Sequence, residues 1–250
     1  MRKIRSPIVS VTIYVLIFVL GVIVGNQVLI PSAPVQQFTP LPVQNYSASV
    51  NILAVKSNDN SGVLGKVTVE IDPGKGRVLM NTNPFLEPDT QFSAETAVSV
   101  AQNYTKKDLG DKDVIISFDI GGELLGGPSA GAAMTTATIA AIEEKQVKED
   151  VAVTGTIEPS GQIGVIGGVI EKAQAAADNG VKLFLVPEAE LYLTYYEKQV
   201  KQERIGPGFI IQRVNYVPKN LDLNNYTMTE LSMETKGVFG IGDVVKYMLE

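Results

Sequence analysis

Between Pro7 and Pro31 the chain runs from Ile8 to Ile30 without one charged side chain. As a helix, this run of 23 residues would reach about 34 Å, enough to cross a hydrocarbon core of about 30 Å. The flanking charges are one-sided. Arg2, Lys3 and Arg5 precede the run, and no charged residue follows it until Lys56. The positive-inside rule then puts the N-terminus in the cytoplasm and everything after residue 30 on the other side of the membrane. The run is long for the apolar part of a cleaved leader. The one small-residue stretch behind it, Pro31-Ser32-Ala33, is followed by Pro34. Both points favour an uncleaved anchor over a signal peptide. The predicted organisation is a cytoplasmic tip and transmembrane anchor over 1–30, a proline-rich spacer over 31–47, and a folded domain over 48–250.

That domain works under a severe chemical restriction, because the chain contains no His and no Cys. Ser-His-Asp triads, cysteine nucleophiles, and imidazole or thiolate metal sites are all excluded within one chain. No carboxylate spacing resembles a calcium loop, and neither a P-loop nor a dinucleotide fingerprint occurs. No cofactor and no metal are therefore expected. Formal net charge is −6; removing the +3 of Arg2, Lys3 and Arg5 leaves about −9 for the rest. An acidic body of this kind argues against nucleic acid as a partner.

Two stretches retain the means for nucleophilic chemistry. In Gly126-Gly127-Pro128-Ser129-Ala130-Gly131 a strand-like run, Val114–Ile120, passes through a glycine-rich loop into a helix of small residues. Pro128 suits the first helical turn, and the free N–H groups of a helix start can hold an oxyanion. Taken alone, Ser129 reads first as a helix cap and second as a nucleophile. Lys172 has Val169, Ala173, Ala175 and Ala176 around it at helical spacing. On such a face, burial would lower the amine pKa. Taken alone, it reads first as a lysine that lies along apolar surface with its amine in water, and only second as a base.

Periodicity predicts strands over 50–55, 63–71, 77–82, 114–120, 151–156, 181–186 and 209–217. It predicts helices over 95–104, 129–143, 168–179 and 188–200, with a short amphipathic helix over 240–249. Asp72-Pro73-Gly74-Lys75-Gly76 is a turn, 161–165 a hairpin return, and 218–236 is left without assignment. The mixture is α+β.

Several of these blocks together resemble the proteolytic domain of the Lon protease family. They are Gly127-Pro128-Ser129-Ala130-Gly131, then Thr154-Gly155, then Gly167-Gly168-x-x-Glu171-Lys172. The Pro-Gly-Lys-Gly turn at 73–76, Leu185-Val186-Pro187 and the closing 241–247 helix also resemble it. The resemblance implies a mixed sheet with packed helices and a Ser-Lys dyad. Ser129 would be the nucleophile, Lys172 the general base, and Thr154 the hydroxyl that fixes the amine. The Ser129 N–H, with another from Gly126-Gly127, would form the oxyanion hole.

The resemblance further implies a serine endopeptidase acting on unfolded or flexible polypeptides and assembling as a homo-oligomer, often a six-membered ring. Because no nucleotide-binding pattern precedes the domain, ATP independence is expected. Residues 190–236 are read as an insertion or extension. Many related enzymes carry Lys-Asp-Gly before the Pro-Ser pair, where this chain has Leu125-Gly126-Gly127, so that acidic side chain is absent. The alternative is a membrane-tethered binding or assembly module that keeps the fold without the chemistry.

Overall fold

In the computed structural model, residues 16, 18, 39, 40, 46–81, 83, 85–121, 124–206 and 209–250 are described. The chain divides into two units, Met1–Gln37 and Phe38–Glu250. In the first, Leu16 and Phe18 are both helical. The rest of the predicted anchor lies outside the described residues, among which no helix is long and apolar enough to cross a membrane.

The second unit is built on a seven-stranded mixed sheet. Its strands are β1 (Tyr46–Val55), β2 (Gly62–Pro73), β3 (Val78–Met80), β4 (Lys112–Asp119), β5 (Val151–Val153), β6 (Leu183–Pro187) and, late in the chain, Glu234–Val238. β1 and β2 form an antiparallel hairpin from Tyr46↔Ile71 to Val55↔Gly62. β2 pairs antiparallel with β4, which takes β3 alongside in parallel. On the other side β1, β5, β6 and Glu234–Val238 run parallel.

Helices cover both faces, so the strands bury side chains in both directions. Val151, Val153 and Leu185 point into one core; Ala152, Phe184 and Val186 point into the other. The first core is closed by α1 (Pro88–Thr105), α2 (Gly131–Glu143) and the last helix, Ile241–Met248. The second is closed by α3 (Val169–Asp178) and α4 (Leu223–Glu230). α2 explains its own composition. Every residue from Gly131 to Ile142 is buried, which only a helix of small side chains permits at close packing. Its three buried threonines satisfy their hydroxyls internally: Thr135, Thr136 and Thr138 each donate to a carbonyl four residues back, at 2.8 Å.

The α+β reading holds, with three local corrections. First, α1 begins at Pro88, seven residues before the predicted Glu95. Second, the predicted helix at 129 opens as a 3-10 turn, Pro128–Ala130, and becomes α-helical only at Gly131.

Third, residues 188–200 are not a helix. A single 3-10 turn, Glu188–Glu190, leads into β7 (Tyr192–Gly206), which pairs antiparallel with β8 (Phe209–Asp222). The segment carries three tyrosines, Tyr192, Tyr195 and Tyr196, a residue type that favours a pleated strand, and it lacks an apolar stripe at helical spacing. β8, α4 and β9 (Glu234–Val238) account for the unassigned stretch 218–236.

Candidate active site

Backbone hydrogen bonds bring the serine and the threonine together. Thr154 directly follows β5, and its N–H donates to the Leu185 carbonyl of β6 at 3.0 Å. The chain then crosses to the start of α2. The Gly155 N–H donates to the Ser129 carbonyl at 2.9 Å, and the Gly155 carbonyl accepts from the Ala132 N–H at 3.0 Å. Lys172 arrives separately, on the first turn of α3, with its own N–H bonded to the Gly168 carbonyl at 3.0 Å.

The three side chains meet. The Lys172 amine donates to Ser129 Oγ at 2.9 Å and to Thr154 Oγ1 at 3.2 Å. Thr154 Oγ1 in turn donates, weakly, to the Ser129 carbonyl at 3.5 Å. Ser129 does not cap a helix: neither the 3-10 turn nor α2 has a side-chain cap. Lys172 is not a surface lysine either, being only 3% exposed. Removal from water disfavours the charged ammonium, and the nearby Glu190 carboxylate opposes this in part, leaving the amine lowered to about 8 from 10.5.

That shift decides whether a lysine can act as a base at neutral pH. With the ordinary value, about 3 amines in 10,000 would be neutral at pH 7; at about 8, roughly one in ten is. Burial therefore multiplies the reactive population by about 300.

The loop before Ser129 is tied down by the first two turns of α1. Asp89 Oδ1 accepts from the Gly127 N–H at 3.4 Å, Thr90 Oγ1 donates to the Gly127 carbonyl at 3.3 Å, and Ser93 Oγ donates to the Pro128 carbonyl at 3.3 Å. The Gly127 N–H is thus turned toward Asp89. The Ser129 N–H lies in the first turn, where helix geometry leaves N–H groups without an intrahelical acceptor. Gly126 has no side chain, and the space one would fill is held by the Glu87 carboxylate. A carboxylate therefore reaches position 126 from another element.

Ser129 and Lys172 open onto a cleft of 1340 Å³ that runs from Ile52–Lys56 past Gly126–Ala130 to Val165–Gly168. It exceeds the roughly 300–1,000 Å³ of a typical small-molecule site and suits an extended chain. A second cavity, of 530 Å³, contains neither Ser129 nor Lys172.

Sequence reasoning missed Glu190, Asp89, Thr90 and Ser93. The α1 residues were detectable: Pro88 followed by Asp89 is a helix-start signal. Glu190, whose Oε1 accepts from the Ile166 N–H at 3.2 Å across the cleft wall, lay inside the segment misread as a helix.

The profile of the Lon protease (S16) C-terminal proteolytic domain matches residues 62–203, more than half of the chain. The chain belongs to that family. It is 30% identical over 161 residues to the archaeal Lon protease of Halobacterium salinarum, which covers 61% of this chain and 22% of that protein. It is 34% identical over 157 residues to the Lon protease of Elusimicrobium minutum, covering 61% of this chain and 18% of that one. It is 36% identical over 121 residues to the Lon protease of Desulfatibacillum aliphaticivorans, covering 46% and 14%. The chain thus spans about a fifth or less of the length of these relatives. The Lon-type match takes in Ser129, Thr154 and Lys172 and ends within β7.

Proposed function

We propose that this Lon-type domain is a serine endopeptidase with a Ser129–Lys172 dyad that cleaves unfolded or flexible polypeptides without ATP. The carrying observation is the 2.9 Å contact between a buried, pKa-lowered amine and the serine hydroxyl. Neutral Lys172 removes the Ser129 proton while Oγ attacks a peptide carbonyl carbon. N–H groups at the start of the helix, that of Ser129 among them, stabilise the resulting oxyanion. The Lys172 ammonium returns its proton to the leaving amine as the C–N bond breaks. Water, deprotonated by the same amine, then hydrolyses the ester and restores Ser129. Thr154 holds the amine in line.

In this reading residues 8–30 anchor the protein with 1–7 in the cytoplasm, 31–47 act as a spacer, and 48–250 work outside the cytoplasm as a homo-oligomer. The uncharged run and its one-sided basic flank support the anchor.

The test uses the full chain in detergent, with casein as substrate and no nucleotide. Casein should be cut, and Ser129→Ala and Lys172→Ala should each abolish cutting. A fluorophosphonate should label Ser129 in the wild-type chain. Cleavage that survives either substitution would end the assignment. An unlabelled, inactive wild type would point instead to a passive binding module.

A further inference from the structure

Of the acidic residues at the start of α1, one has no structural task. Asp89 accepts from the Thr90 N–H at 2.7 Å and from the Gly127 N–H, so it serves both helix and loop. Glu87 occupies the N-cap position, yet its side chain makes no capping hydrogen bond. Among the described residues its carboxylate has no hydrogen-bond or ion-pair partner, and the residue is only partly exposed. It lies over Gly126, where any Cβ would overlap it, and it lines the same cleft as Ser129 and Lys172. Glycine at 126 is what makes room for it.

The other ionisable groups lining the cleft are Lys56, Glu171 and Lys172. Lys172 points at Ser129 and Thr154 and is neutral when it acts as a base. Lys56 is exposed where the chain leaves β1. Neither is paired with Glu87. Apolar side chains line the same cleft, among them Val55, Ile120 and Val165, together with the polar Ser57, Asn58 and Asn60. A polypeptide lying in the cleft takes water from this carboxylate. Burying a charge is costly unless it is paired.

We infer that Glu87 is a specificity-determining residue: its carboxylate pairs with a lysine or arginine side chain of the polypeptide substrate close to the scissile bond. Gly126 lies three positions before Ser129, a Cα span of at most about 11 Å. The basic side chain therefore belongs to a residue within about three of the bond cut. An apolar side chain there leaves the carboxylate desolvated and unpaired, and an acidic one adds repulsion. The inference names the substrate class for the peptidase proposed above and rests on that reading.

Two internally quenched peptides, identical except for lysine or norleucine at one position flanking the scissile bond, test it on the full chain. Wild type should favour the lysine peptide in kcat/KM by about tenfold or more. Glu87→Gln should lower kcat/KM on the lysine peptide and raise it on the norleucine peptide. Glu87→Lys should favour a third peptide with glutamate at that position. A purely structural role would move all peptides together. Such a common change, or a wild type indifferent to lysine, would overturn the inference. Binding to the Ser129→Ala chain, followed by fluorescence anisotropy, reads the subsite without turnover. There the lysine peptide should bind more tightly by about the same factor, and Ser129→Ala with Glu87→Gln should lose the difference. If wild type cuts no peptide while this preference persists, the peptidase reading fails and the subsite stands. Loss of the preference in the binding arm overturns the subsite alone.

Discussion

Replacing Lys172 by methionine should abolish hydrolysis and, near neutral pH, relieve the fold of a burden. The amine titrates at about 8 when folded, against 10.5 for free lysine. Between those values the unfolded chain binds more protons than the folded one, so wild-type stability rises with pH. The penalty is fully in force below the folded value and is gone above the unfolded one. From about pH 7 to about pH 10 it should change by about 2.5 kcal/mol. Methionine has a similar length and no charge, so the variant lacks this dependence. Losing the bonds to Ser129 and Thr154 costs about 1 kcal/mol each, but that cost does not vary with pH. The stability advantage of Lys172→Met over wild type should therefore shrink by about 2.5 kcal/mol across the range, whatever its absolute size. Urea unfolding followed by far-UV circular dichroism measures it. The chain has no Trp, so the backbone signal is the probe of choice. A difference that stays constant with pH would refute the buried, proton-poor amine.

The same titration governs activity. Log kcat/KM for a neutral peptide should rise with unit slope through pH 7 and level off above about 8; a flat profile from pH 6 to 9 would contradict it. Glu190→Gln removes the negative charge that raises the Lys172 value, while an amide oxygen can still accept from the Ile166 N–H. The midpoint of the profile should move to lower pH, and a midpoint that stays or moves up would refute the electrostatic role. Gly62→Ala would place a methyl against the Glu171 backbone and the Ala175 side chain of α3. Overpacking of this kind costs about 1–3 kcal/mol, and the displaced helix should lower kcat/KM by more than tenfold. Urea unfolding and steady-state kinetics should show both effects, and unchanged kinetics would show that α3 tolerates the shift.

How much of this was legible in the sequence depended on the range of the interaction. The alternation of Val67, Val69 and Ile71 predicted β2, and all three prove fully buried. The small residues of α2 were visible, but their reason, burial on every side, required the sheet beneath them. Ser129, Thr154 and Lys172 came from ordered blocks at matched spacing. Their physical properties did not, because desolvation of an amine depends on what packs over it. The late placement of α1 hid its N-terminal end and with it Glu87, Asp89, Thr90 and Ser93. Apolar periodicity is silent in a turn whose work is polar. The tyrosine-rich segment after Glu190 was misassigned because its strand partner, β8, comes later in the chain and contributes half of the pattern.

Ser129 and Thr154 are bolted to one backbone frame through Gly155, whereas Lys172 is carried in on a helix of its own. The two hydroxyls therefore keep their spacing for as long as the parallel strands hold. The amine keeps its place only as well as α3 keeps its seat. Slippage of that helix by about an ångström is enough to break a 2.9 Å contact. Damage far from the serine, anywhere beneath α3, should thus silence the chemistry long before the sheet gives way.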